Sequence, residues 1–119
     1  MQDFSYYTIV GVDKRSPLHG FNMDYDNYVG QLCYIGYLQT GERAYLNVVP
    51  KNDDRFHAIH TSTVDDYTES DNGNLMTIDT MNTAYHLRRA TADEINKTIS
   101  RLSKKPRTTP IKGYGFYGE

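Results

Sequence analysis

The sequence has no tryptophan, a single cysteine and no long apolar run, and each lack closes off a class of protein. A lone Cys33 excludes an internal disulfide framework and a multi-cysteine zinc site, and it makes a reducing, cytoplasmic setting the expectation. No stretch approaches the roughly 20 apolar residues that a membrane-crossing helix needs. The opening residues Met1-Gln2-Asp3-Phe4-Ser5-Tyr6-Tyr7 lack the basic and apolar regions of a secretory signal. No glycine-rich nucleophile elbow, Walker loop or dinucleotide fingerprint occurs. Net charge is small as well, −2 in total, but only by cancellation. Residues 1–87 hold five Lys/Arg against twelve Asp/Glu, whereas residues 88–119 hold eight against three. An acidic body thus precedes a basic end, a split that favours self-association into a homo-oligomer.

What is present fits one globular domain: 119 residues, 38% hydrophobic and 24% charged. Eleven tyrosines run from Tyr6 to Tyr117. Tyrosine favours strands and packs its ring while its hydroxyl stays wet. Six strands are expected, over 4–12, 28–38, 43–49, 56–64, 75–80 and 83–87, from their β-branched, aromatic and alternating composition. Between them lie a long loop over 13–27, a turn at Gln39-Thr40-Gly41-Glu42, a polar connection over 50–55 and an acidic one over 65–73 ending in Asn72-Gly73. Gly30 and Gly36 mark a bulge, a bend or a close backbone approach. Asn82 stands where a tight turn joins the last two strands.

The pattern changes at Thr91. Thr91-Ala92-Asp93-Glu94 is a capping box, in which Thr91 and Glu94 satisfy each other's backbone N–H. Ile95, Ile99 and Leu102 follow at helical spacing and are expected to lie on a sheet face, while Lys104, Lys105 and Pro106 end the helix. The expected fold is α+β: an antiparallel, strongly bent sheet or half-open β-barrel of about six strands with one C-terminal helix. A single domain over 1–105 is followed by a basic and aromatic tail over 106–119, either unstructured or docking on something.

No constellation of reactive residues stands out. His57 and His60, three apart on a strand, point to opposite faces and do not chelate jointly. Cys33 between Leu32 and Tyr34 reads as a buried, inert thiol. Asp65-Asp66 reads as solvated turn carboxylates rather than a catalytic pair. No cofactor is implied, and an enzyme is not expected. The polar islands Thr61-Ser62-Thr63 and Thr80-Met81-Asn82-Thr83-Ala84-Tyr85 are either cross-strand pairs and a turn or a ligand-contacting face. The basic run Arg88, Arg89, Lys97, Arg101, Lys104, Lys105, Arg107 and Lys112 suits phosphate, and Tyr114, Phe116 and Tyr117 suit base stacking. Its bland alternative is a solvated helix face that touches the acidic body of a neighbouring copy.

Thr61-Ser62-Thr63-Val64 followed by Thr80-Met81-Asn82-Thr83-Ala84-Tyr85-His86-Leu87 resembles a pattern of small phage and prophage proteins. In that pattern a strand ending T-S-x-V leads through a hairpin into T-x-N-S/T-x-Y-x-L. The resemblance covers roughly residues 56 to 90. Within this group, a β-sheet followed by C-terminal helices is similar to the first family of Thoeris anti-defence proteins. The resemblance implies an oligomeric sponge, acting in the host bacterial cytoplasm, that binds a cyclic nucleotide immune signal without cleaving it. It points to Asn82, Tyr85, Arg88, Arg89 and Arg101 as ligand contacts. A competing expectation is a protein–protein inhibitor of a host defence effector, of anti-CRISPR type, whose acidic face blocks a nucleic-acid channel. Its partner contacts are Asp65 and Asp66 on the acidic side, with Lys104, Lys105 and Arg107 in the basic run. No membrane partner is expected on either reading.

Overall fold

The computed structural model describes residues 6–15, 27–102 and 116–118. Its elements are β1 (Tyr6–Lys14), β2 (Leu32–Tyr37), β3 (Arg43–Val48), β4 (His57–Ser70), β5 (Leu75–Thr80), β6 (Thr83–Arg89), α1 (Ala92–Arg101) and β7 (Phe116–Gly118). Each of β1 to β5 pairs antiparallel with the next strand. β6 then returns to β1, also antiparallel, so the six close into a continuous ring. Closure leaves none of the six with an unpaired flank along its whole length, the usual hazard of an open sheet.

The ring is strongly tilted. A walk across partners from His57 through Val48, Cys33 and Tyr7 reaches Arg89, whose N–H bonds the Asn74 carbonyl. That walk returns to β4 at its far end, beside the Ser70–Leu75 pair, rather than at His57. Such an offset is what a small closed sheet needs if its strands are to wrap around a filled interior.

β4 makes the wrap possible by serving two neighbours in turn. Its first half, His57 to Thr63, pairs with β3, and its second half, Val64 to Ser70, pairs with β5. The acidic stretch expected as a loop over 65–73 is therefore mostly strand. Thr68 and Glu69 face Thr77 and Met76 in the ladder, and the hydrogen bonds of that ladder outweigh the acidic composition. Tyr67 also packs against the core. The turn itself is short: Asp71, Asn72 and Gly73 have φ of 54°, 55° and 83°, and the Gly73 N–H bonds the Ser70 carbonyl at 3.1 Å. The left-handed run thus begins one residue earlier than the Asn-Gly pair suggests.

On the flank of β4 that β5 does not reach, β7 adds a parallel strand, with Ala58, Ile59 and His60 opposite Phe116, Tyr117 and Gly118. Part of the tail docks on the sheet. Gly36 sits at a register break between β2 and β3, and a Cβ there would come within 2.9 Å of the Asn47 amide nitrogen.

Alternation fills the ring. Tyr7, Ile9, Cys33, Ile35, Leu46, Val48, Ile59, Val64, Met76, Ile78, Tyr85 and Leu87 belong to one buried cluster. The apolar residues of the sheet thus lie mostly inside the ring, with Leu32 on the outer face beneath the helix. The Ile95–Ile99–Leu102 stripe is covered only in part: Ile95 and Leu102 are half-buried, Ile99 is 48% exposed, and the buried residue of the helix is Thr98. The capping box forms as expected, with Thr91 and Glu94 bonding reciprocally. Among the described residues no helix is long and apolar enough to cross a membrane.

Candidate ligand-binding face

Because Tyr7, Ile9, Cys33 and Ile35 point into the core, the alternate residues of β1 and β2 point outward. Two cross-strand pairs share this outer face: Tyr6 with Tyr34, and one pleat step along, Thr8 with Leu32. The helix lies over the Thr8–Leu32 step and leaves the Tyr6–Tyr34 step open. The tyrosine rings meet at 5.6 Å between centroids, tilted by 50°. With Asn47 and Phe56 they wall a groove of about 250 Å³. Tyr34 is 38% exposed and Tyr45 45% exposed. A second row runs beside the first: the Tyr37 and Tyr45 rings lie 5.8 Å apart, and Tyr45 and His60 lie 4.5 Å apart. The Tyr37 hydroxyl donates to Glu42 at 2.5 Å, and this bond raises its pKa.

Under the helix lies a polar cavity of about 210 Å³, lined by Thr8, Gly30, Gln31, Leu32, Glu94, Lys97, Thr98 and Arg101. Its charges are arranged by a few strong contacts. Both Glu94 oxygens accept from Arg88, at 3.0 and 2.8 Å, and Oε1 also accepts from the Thr91 N–H. The Arg88 guanidinium, then the Thr91 N–H, hold the Glu94 carboxyl down at about 2, with a smaller contribution from the nearby Thr8 hydroxyl. Reciprocally, Glu94 raises the pKa of Arg88. Arg101 reaches over the loop after β3: its Nε donates to the Asp53 carbonyl at 3.1 Å, and Nη2 to the Pro50 carbonyl and the Gln31 amide oxygen at 3.4 Å. The Thr8 hydroxyl lies close enough to Glu94 to favour its charged form, yet its Oγ1 makes no hydrogen bond of normal geometry with a described atom.

The residues singled out from the sequence do not form one site. Asn82, in the turn just before β6, and Arg88, near its far end, lie roughly 20 Å apart at the rise of an extended strand. Tyr85 is 1% exposed within the core, so its ring packs on neighbours and is not presented to a ligand. Arg88 is committed to Glu94. Arg89 contacts the Gly73 carbonyl at 3.4 Å and stands 6.0 Å from the centre of the Tyr7 ring. Of the five expected ligand contacts, Arg101 alone lines the polar cavity. Asp65 pairs with Arg15 at 3.0 Å, and Asp66 accepts from the Tyr67 N–H at 2.9 Å. Lys104, Lys105 and Arg107 lie outside the described residues.

The motif that carries the phage-protein resemblance has a structural task. Thr61, Ser62, Thr80 and Thr83 are buried where β4 leaves β3 for β5. Thr61 Oγ1 accepts from the Ala44 N–H at 2.9 Å, and Ser62 Oγ from the Asn82 N–H at 3.0 Å. Thr80 Oγ1 accepts from the Thr83 N–H and donates to the Thr83 carbonyl. These hydroxyls satisfy backbone groups that a strand switching partners leaves behind. They do not form an exposed binding face.

The sequence reasoning missed Tyr6, Tyr34, Asn47 and Phe56 at the groove, and Thr8 and Gln31 in the cavity. Spacing held part of the signal, since Tyr6 and Thr8, or Leu32 and Tyr34, are two apart and share a face on a strand. Cys33 is the inert thiol expected, its pKa pushed up to about 12 by burial. Among the described residues no three His, Cys, Asp or Glu side chains are grouped to hold a metal ion. Compared with protein-family models, curated proteins and solved structures, the chain matches none.

Proposed function

We propose that the protein is a non-enzymatic binding protein that sequesters a cyclic nucleotide immune signal, the phage anti-defence role implied by the Thoeris resemblance. The ligand sits on the outer face of β1 and β2 and needs no cofactor. The observation that carries this reading is the open groove walled by Tyr6, Tyr34 and Phe56 beside Asn47. Rings held in water forgo burial, and a base stacked on such a ring gains about 1–3 kcal/mol. Asn47 adds an amide donor and acceptor for a base edge. The walls are set on paired strands, so affinity comes from a preorganised shape and not from reaction chemistry.

Calorimetric titration with a panel of cyclic nucleotides tests this. Saturable heat is expected, with the ligand recovered intact by chromatography after long incubation. Tyr34→Ala is expected to weaken binding roughly 5- to 150-fold, the equivalent of one lost stack. No heat from any member of the panel, or a ligand consumed over time, removes the reading.

One feature favours a second reading. The β4–β5 hairpin carries Asp65, Asp66, Glu69, Asp71 and Asp79, with Arg15 paired to the first of them. A protein–protein inhibitor of a host defence effector uses such an acidic finger to enter a nucleic-acid channel. Pull-down against host nucleases separates the two, because a signal sponge retains no nuclease.

A further inference from the structure

We infer that the cavity between α1 and the β1–β2 ladder is a phosphate subsite, one pleat step along from the aromatic groove, so that the ligand is a nucleotide and not a bare nucleoside. This deepens the proposed function and rests on its placement of a base at Tyr6 and Tyr34.

Three properties of the cavity carry the inference. First, it holds an unmet donor: Thr8 is 3% exposed and its Oγ1 has no hydrogen-bond partner among the described residues. Buried hydroxyls are rarely left this way, and one that lines a cavity marks where a polar group belongs. Second, its charge favours an anion. Lys97 and Arg101 stand one helical turn apart on the lining, a like-charge spacing that disfavours the helix until an anion lies between them. The one carboxylate present, Glu94, does not cancel them, because Arg88 grips both of its oxygens. Third, the donors are held in place. Arg101 is fixed by the carbonyls of Asp53 and Pro50 and by Gln31, and a guanidinium has five N–H donors to share among them and an oxyanion. The N-terminus of α1 is not the site, since Thr91 and Glu94 already cap it.

Position links cavity and groove. Thr8 is two residues from Tyr6 on one strand and one face, a separation of about 7 Å. A base on the tyrosines and a phosphate at Thr8 span that distance within a single nucleotide, and Lys97 and Arg101 line the same cavity as Thr8. Phosphate supplies acceptors for the Thr8 hydroxyl, the Lys97 ammonium and the N–H groups of Arg101 that its carbonyl and amide partners leave over.

The test titrates the full-length protein with inorganic phosphate, adenosine, AMP and 3′,5′-cyclic AMP at constant ionic strength, read by amide chemical shifts. Phosphate alone is expected to give saturable shifts at Thr8, Gln31 and Lys97. Both phosphorylated nucleosides are expected to bind at least tenfold more tightly than adenosine. Lys97→Ala, an exposed change that leaves the core intact, and Thr8→Val, which keeps the side-chain shape, are each expected to abolish the phosphate shifts. Binding of adenosine with no phosphate response and no gain from the phosphate group overturns the subsite and leaves the groove standing. A phosphate response without any adenosine binding does the reverse. Shifts that do not saturate, or that persist in Lys97→Ala, report screening alone and also overturn the subsite.

Discussion

At the scale of single residues, Glu94 is the most heavily used group of the chain. It closes the capping box, clamps Arg88 and forms one wall of the polar cavity, and the clamp on Arg88 needs it ionised. Its folded pKa of about 2 lies below the ordinary carboxylate value, with the Arg88 contact as the main cause. A carboxyl depressed on folding stabilises the protein above its unfolded pKa and loses that contribution as pH falls toward 2. Both partners are about a third exposed, so solvent screening limits the effect to roughly 1 kcal/mol. Glu94→Gln is therefore expected to lower stability by about that amount at pH 7, with the gap to the parent closing between about pH 4.5 and pH 2. Denaturant midpoints measured across that range check it, and a gap independent of pH contradicts it. Tyr85 teaches the opposite lesson. An aromatic beside arginines invites a stacking role, but its place on β6 turns it into the ring's interior.

Secondary-structure elements show where periodicity misleads. Ile95, Ile99 and Leu102 have the spacing of a buried stripe, and the sequence offers no means of telling that the sheet has closed over its own core. The helix instead docks through Thr98, Arg101 and the Arg88–Glu94 pair. Ile99→Ser is thus expected to change stability by no more than about 0.5 kcal/mol. Ile78→Ala, in the core, is expected to cost about 2–5 kcal/mol. Chemical unfolding of the two variants side by side decides the matter, and equal losses would mean that the stripe is buried after all. β4 makes the same point for strands. Its second half is too acidic to look like a strand in isolation, yet its pairing with β5 and the anchoring of Tyr67 hold it in one.

For the whole molecule, the relevant fact is the separation of charge along the chain. The body over 1–87 is acidic and the end over 88–119 is basic, and opposite poles on neighbouring copies attract over about 10 Å at moderate salt. Sedimentation velocity is expected to show self-association at low ionic strength that weakens as salt is raised. Salt-independent assembly would point to an apolar interface in place of the charge split. If copies do associate, the open groove at Tyr6 and Tyr34 lies on an outward face, where a neighbour is able to complete its walls.

The sequence alone determined most of the strand segments and where the helix starts, because alternation, turn residues and the Thr91 capping box act over a few neighbouring positions. It also determined the inert state of Cys33, though not that the hydroxyls of Thr61, Ser62, Thr80 and Thr83 serve a strand that changes partners. Only the tertiary structure decided that the six strands close into a ring, since closure depends on β6 meeting β1 across the whole chain. That closure fixed which tyrosines face inward and which face water. It brought Thr8, Gln31, Lys97 and Arg101, drawn from three distant segments, around one cavity. No local pattern encodes such a meeting, because the free energy that holds it comes from contacts between residues far apart along the backbone.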